Sequence, residues 1–235
     1  MIQLIHFRND IKRILRDPIM AMMLIAPLLL LTAFKLMVLL LIPFIHTKTG
    51  FDVLPYSQYI LAFVLITSSG MLGIVTGFMM IDERDGNIAE LMSVTPLGRS
   101  GYLINRLLFA SMLSVVYAIL TCIVMMPGTL PLFSILFLSV LSAFYAAIIG
   151  LLIFSGADDK VKGLTFAKAL NALAIFAFAD LLPLQWFMVL SWFFPTYWIT
   201  QLIKSPDSLL VNFFAFAVHL VWLYVLIIRY WRKKS

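Results

Sequence analysis

The sequence has one cysteine, Cys122, in 235 residues. A single thiol excludes an intrachain disulfide or a cysteine metal cluster. Its place in an apolar run reads as a small packing residue. Charge is scarce as well: Asp, Glu, Lys and Arg make up 12% of the chain, where a soluble domain carries about 25%. No His/Asp/Glu cluster has metal-ligand spacing, so no metal is expected. Ser68 or Ser69 with His219 lacks the glycine-x-serine-glycine context of an intramembrane serine protease. No G-x-x-x-x-G-K-[ST] loop is present to cradle phosphates, so no ATPase site is expected in this chain. No repeat or low-complexity tract is evident.

What is present is apolar. Hydrophobic residues make up 63% of the chain, and the mean hydropathy is +1.05. Lipid is the solvent that permits this. Six spans of ~20 apolar residues use about 120 of them, leaving short loops and no room for a soluble catalytic domain. The fold class expected is an all-α membrane protein, a single transmembrane domain over 1–235. Its six helices lie near 19–44, 57–80, 104–126, 132–155, 165–182 and 208–228. The first run is too long for a signal-peptide core of 7–15 residues, so it reads as a retained span.

Residues 2–17 place Leu4, Phe7, Ile11, Ile14 and Leu15 on one helical face and most of the charges elsewhere. This predicts an interfacial amphipathic helix over 1–18, with its basic residues toward lipid phosphates. Residues 183–205 hold Trp186, Trp192, Tyr197 and Trp198 and are split by Pro195. Two apolar pieces of about ten residues read as a re-entrant or interfacial helix pair rather than a seventh span. The net charge of +6 gathers in four clusters, at 8–16, 84–106, 160–168 and 229–234. With six spans all four fall on one side, leaving Lys48 and Lys204 outside and Lys35 within span one. The positive-inside rule therefore places both termini in the cytoplasm. This clustering beside apolar runs argues for membrane orientation and against nucleic-acid binding.

Between spans two and three lies DERDGNIAELMSVTPLGR, residues 82–99. Gly86-Asn87 is read as a turn. Ile88, Leu91 and Met92 follow at i, i+3, i+4, giving a short helix with one apolar face, which Pro96 ends. The acidic residues are expected at its start, the positive end of the helix dipole. So short a helix cannot form a core alone. It fits a groove on a partner, or dips into lipid as an ordinary interfacial loop. The second basic-acidic loop, 156–168, reads as a charged turn orienting spans four and five, or as a further partner contact.

The run DERDGNIAELMSVTPLGRSGYLINR resembles the loop after the second span of ABC-2-type transporter permeases. The resemblance extends over nearly the whole chain, through FRNDIKRILRDP, the six spans and the aromatic-proline helices. DDKVKGLTFAKALN and FFPTYW resemble small fluoroquinolone or multidrug export permease subunits. A leucine-serine-glycine element common near span five in that family is not evident in 178–195. The resemblance implies that 81–103 is a cytoplasmic coupling segment, with Asp82, Glu83, Arg84, Asp85, Gly86, Ile88, Glu90, Leu91 and Met92 contacting a separate ATPase subunit. Two ATPase copies would bind the ATP and Mg. A second permease copy or a paralogue would complete the assembly in the bacterial plasma membrane.

Lys35 lies about 24 Å along span one, and Asp180 about 18 Å beyond Lys168, at 1.5 Å per residue. Intramembrane ions pair or face a wet cavity, so Lys35 and Asp180 are expected to approach each other or line an outer cavity. The alternative is that each reaches the headgroups. Thr67, Ser68 and Asn171 are further pathway candidates. Ser69, Gly73 and Gly77, and likewise Ser139, Ala143 and Ala147, have the spacing of close helix contacts. His219 is expected to make one interhelical hydrogen bond. The function expected is the permease subunit of an ATP-driven exporter of an amphipathic or hydrophobic small molecule, a drug or peptide antibiotic. The alternatives are an ion-coupled carrier using Lys35 and Asp180, or a non-transporting immunity or sensor subunit.

Overall fold

The computed structural model describes residues 10–88, 91 and 98–232. Six helices in it are long and apolar enough to cross a membrane: Pro18–Thr49, Leu54–Asp85, Gly98–Met125, Leu132–Gly156, Lys160–Leu181 and Leu209–Arg232. These are spans one to six. No strand occurs among the described residues, and each helix satisfies its own backbone, as lipid demands of an embedded segment. The chain is a multi-pass helical membrane protein.

Spans two and four form the centre. In their most apolar stretches 78% and 67% of residues are buried, against 11% in span one and 17% in span six. Their contact follows from the small residues of span two. A methyl group built on Gly73 would stand 2.5 Å from the Ala146 carbonyl oxygen and 2.8 Å from Ile149 Cβ. One on Gly77 would meet Ile153 Cβ at 2.6 Å. Ser114 on span three donates to Ser69 at 3.0 Å, and Ser111 to the Ala143 carbonyl at 3.2 Å. The expected stripe of span two, Ser69, Gly73 and Gly77, therefore lies at helix contacts, and on span four it meets Ala146, Ile149 and Ile153. Gly73→Ala is expected to push spans two and four apart and to destabilise the protein by about 1–3 kcal/mol. Thermal unfolding in detergent reads this, and an unchanged midpoint would contradict the close contact.

Two spans depart from regular α-helix. Span one widens into a π-turn over Met37–Leu41, just before Pro43, whose missing N–H breaks the ladder. Span five begins at Lys160, not near 165, because Asp159 caps it by accepting from the Lys162 amide at 2.8 Å. Its second half, Ala172–Leu181, is a 3-10 helix. At 2.0 Å per residue those ten residues extend roughly 20 Å, about 5 Å more than an α-helix would. Before span six come two short helices, Gln185–Ser191 and Pro195–Lys204. The second packs against spans two, four, five and six. Thr196 donates to the Leu173 carbonyl at 3.0 Å, and Phe176 stacks on Phe194 and Phe187. The helix pair is thus fixed to the 3-10 half of span five.

Candidate functional site

Span two runs through Asp85. Asp82, Glu83, Arg84 and Asp85 are therefore its last turn rather than the start of a loop helix. This corrects the dipole expectation, since three carboxylates crowd the negative end of a helix, where they are unfavourable. Cations from three other segments offset them. Glu83 is 1% exposed. Its Oε1 accepts from Arg13 Nη1 at 2.9 Å, and its Oε2 from Tyr102 OH and Arg106 Nε, both at 2.8 Å. Arg106 Nη1 also lies 2.7 Å from Asp10 Oδ2. Asp82 Oδ2 pairs with Lys160 at 2.9 Å and stands 3.9 Å from Arg13, while Lys160 also binds Asp17. Four segments meet in this knot: the helical residues 10–16, and spans two, three and five.

The knot revises two expectations. Asp10 is buried and Arg13 turns inward, so the described part of the N-terminal helix is clamped to the bundle instead of directing Arg13 at lipid phosphates. Arg106, expected as a loop cation, is buried inside span three. Arg84 faces the other way. Its guanidinium donates to the Ala157 carbonyl at 3.2 Å and to that of Asp158, and lies 5.5 Å from the Phe154 ring centre. Residues 156–160 are thereby held against the end of span two.

Beyond the knot the chain turns at Gly86-Asn87, as expected, with Asn87 in the left-handed region at φ 56°. Ile88 is half-buried, and Leu91 is 66% exposed. Glu90 and Met92 lie outside the described residues. Of the proposed coupling residues, Glu83 thus offers no surface to a partner, and Leu91 does.

Asp17 joins the knot to span one. Its Oδ1 accepts the amides of Ile19 and Met20 at 2.9 and 3.2 Å, capping the helix. Partial burial works against its charge, but Lys160 and those amides outweigh it and hold the carboxyl below its ordinary value of 3.8. A carboxylate with a depressed folded value adds stability above the ordinary value and loses it as pH falls through the folded one. Asp17→Ala is expected to cost about 1 kcal/mol at neutral pH. It should also remove part of the acid destabilisation that sets in below about pH 4. Melting curves across pH 3–7 check both, and parallel curves offset by nothing would contradict them.

At the opposite end of the bundle, roughly 36 Å along span two at 1.5 Å per residue, Asp180 has a different partner from the one expected. Its Oδ2 accepts from Lys204 Nζ at 2.7 Å and from Gln201. Lys204 also donates to Tyr59 OH at 3.2 Å. Lys204 loses solvation here, yet Asp180 and Tyr59 more than compensate, keeping its ammonium above the ordinary value. The Lys35–Asp180 pair is therefore corrected. The 3-10 half of span five and the second short helix bring Lys204 to Asp180. Lys35 is half-buried and makes no ion pair among the described residues. Thr67 is half-buried, Asn171 is exposed near Gly70, and Ser68 is buried. His219 is buried, and its Nδ1 lies 2.7 Å from the carbonyl of Ala215 on its own helix. A carbonyl only accepts, so Nδ1 carries the proton, and the expected interhelical bond is not the one made. No group of metal-ligating side chains occurs among the described residues.

Asp10, Asp17, Tyr59, Tyr102, Arg106, Lys160 and Lys204 are partners that the sequence pattern alone does not single out. A positional signal exists for Asp17, Lys160 and Lys204, which stand at or near helix ends; Asp10 and Arg106 carry none.

Six helices long and apolar enough to cross a membrane define a polytopic membrane protein. A family model described as fluoroquinolones export permease protein Rv2686c-like matches residues 10–230, and the chain belongs to this family. Two relatives are the fluoroquinolones export permease proteins Rv2686c and MT2760 of Mycobacterium tuberculosis, strains H37Rv and CDC 1551. Each is 30% identical over 203 residues, covering 83% of this chain and 78% of the relative. No solved structure matches the chain significantly.

Proposed function

We infer that this chain is the membrane-embedded half of an ATP-driven exporter. It moves an amphipathic drug of the fluoroquinolone type out of a bacterial cell, powered by a separate ATPase subunit present in two copies. The observation that carries this is the end of span two: a rigid helix, pinned by Glu83, passes directly into a turn with Leu91 exposed beyond it. A partner that grips Leu91 pulls on span two and, through Arg106, Arg13 and Lys160, on span three, the N-terminal helix and span five together. The ATP and Mg belong to that partner. The family's printed name supports the cargo class, and the positive-inside rule supports a cytoplasmic location for the knot and both termini. A second copy of the chain, or a paralogue, covers the largely unburied spans one, five and six. Lys35 on span one and Asn171 on span five are the pathway candidates on such a covered face, with Thr67 half-buried on span two.

The test is flux in proteoliposomes. Fluoroquinolone movement should require the ATPase subunit and ATP, and vanadate should stop it. Flux by the permease alone, driven by a proton gradient, would favour an ion-coupled carrier instead.

A further inference from the structure

Beside the knot is an open surface cleft of about 480 Å³, a volume comparable to that of drug-sized ligand sites. Arg13, Arg16, Asp17 and Asp82 line it together with Ile19 and Met20. It opens next to the first turn of span one, at the boundary between apolar helix and charged chain. An amphiphile partitioned into the headgroup layer meets this mouth without leaving the membrane surface.

The charges on its wall are unevenly committed. Asp10, Asp17, Asp82 and Glu83 share Arg13, Arg106 and Lys160. The knot therefore has one carboxylate more than it has cations. Asp82 engages both its partners through Oδ2, so its Oδ1 keeps acceptor capacity. Arg16 is the reverse case. It is exposed on the same cleft and has no acidic partner among the described residues. The amides at the start of span one are already taken by Asp17 Oδ1. A bound anion must therefore turn to the guanidinium, not to the helix end. One wall thus offers a cation with no acidic partner among the described residues, the other a carboxylate oxygen, Asp82 Oδ1, with acceptor capacity, and apolar side chains lie alongside.

We propose that this cleft binds a zwitterionic amphiphile, with its anionic group on Arg16, its ammonium against Asp82 and its apolar body over Ile19 and Met20. The assignment of that ligand as cargo awaiting transport rests on the exporter reading. The same chemistry is carried by two sources, a zwitterionic drug and an aminophospholipid headgroup.

The full-length protein in nanodiscs of digalactosyldiacylglycerol, a bilayer lipid without ionic groups, is titrated without ATPase subunit or nucleotide against a piperazinyl fluoroquinolone followed by its own fluorescence. Saturable binding is expected. Arg16→Gln should weaken it about tenfold or more, as loss of a charge-assisted contact does, and Arg16→Lys should retain most of it. The wild type should bind the carboxyl methyl ester as weakly as the variant binds the parent drug, with Arg16→Gln changing the ester's affinity little. The N-acylated drug, which has lost its ammonium, should also bind weakly to the wild type. That derivative tests the Asp82 side without disturbing the knot. Adding phosphatidylethanolamine to the discs separates the sources. Competition that Arg16→Gln abolishes makes the headgroup an occupant, whereas undiminished drug affinity reserves the cleft for cargo. Parent, ester and acylated drug binding alike to wild type and Arg16→Gln would overturn the site. ATP-driven flux with such indifferent binding sinks the site alone. Arg16-dependent binding without ATP-driven flux sinks the exporter reading alone.

Discussion

Glu83→Ala is expected to destabilise the protein by about 3–5 kcal/mol, the cost of breaking a buried ion pair by removing one partner. The carboxylate is fully enclosed and receives three donors. Its removal leaves Arg106 buried with Asp10 as its remaining anion and Tyr102 OH without an acceptor. For a chain of this size that corresponds to a fall of roughly 6–20 °C in midpoint. Glu83→Gln should fall between: the amide oxygen still accepts from Tyr102, but the charge that balances Arg106 is gone. Thermal unfolding of the detergent-purified variants, followed by size-exclusion fluorescence, gives the ranking wild type, Gln, Ala. An alanine variant melting with the wild type would mean that the knot holds nothing together.

The knot matters for more than stability. Spans two and three, residues 10–16 and the start of span five share one set of paired charges, buried at Asp10, Glu83 and Arg106 and partly exposed at Arg13, Asp82 and Lys160, so none of their ends moves far without the others. Ser114–Ser69 and the glycine contacts of span two extend that stiffness to spans three and four. At the other end, Asp180, Lys204 and Tyr59 tie spans two and five to the second short helix. Spans two and five are thus each held at both ends, an arrangement that suits helices carrying a displacement from one face of the membrane to the other.

The six spans were legible because a run of ~20 apolar residues has few other uses. The Gly86-Asn87 turn and the two-piece segment split by Pro195 were legible for equally local reasons. What was not legible is non-local. Glu83 looked like the start of a loop because nothing in its own neighbourhood neutralises it. Its counter-charges arrive from residues 13 and 106, whose approach only the packed bundle determines. Lys160 looked like loop for the same reason, until Asp159 capped it and Asp17 and Asp82 bound it. In the sequence Lys204 falls outside the predicted spans and Asp180 inside one, which points to Lys35 for the pairing that belongs to Lys204. The stretched half of span five, which sets the level of Asp180, has no compositional mark: ALAIFAFADL is as compatible with α-helix as with 3-10.

Leu91→Asp is expected to abolish ATP-driven flux while leaving the bundle intact. Leu91 lies beyond the turn, 66% exposed, and contributes nothing to the knot. Placing a charge there should change the melting midpoint little, since surface substitutions away from special features stay within about 0.5 kcal/mol. If Leu91 fills an apolar groove on the ATPase subunit, the same carboxylate must be desolvated in that groove. An anchor residue of this kind is worth about 2 kcal/mol or more, or about thirtyfold in affinity. Co-purification of the two subunits should therefore fail together with transport. Leu91→Met, which keeps the apolar volume, should restore both. The contrast with Glu83 is the decisive comparison. Glu83→Ala should lose stability first and transport as a consequence, whereas Leu91→Asp should lose assembly and transport at full stability. An Asp variant that still assembles and exports would mean that force enters the permease elsewhere, and the end of span two would be a clamp without a handle.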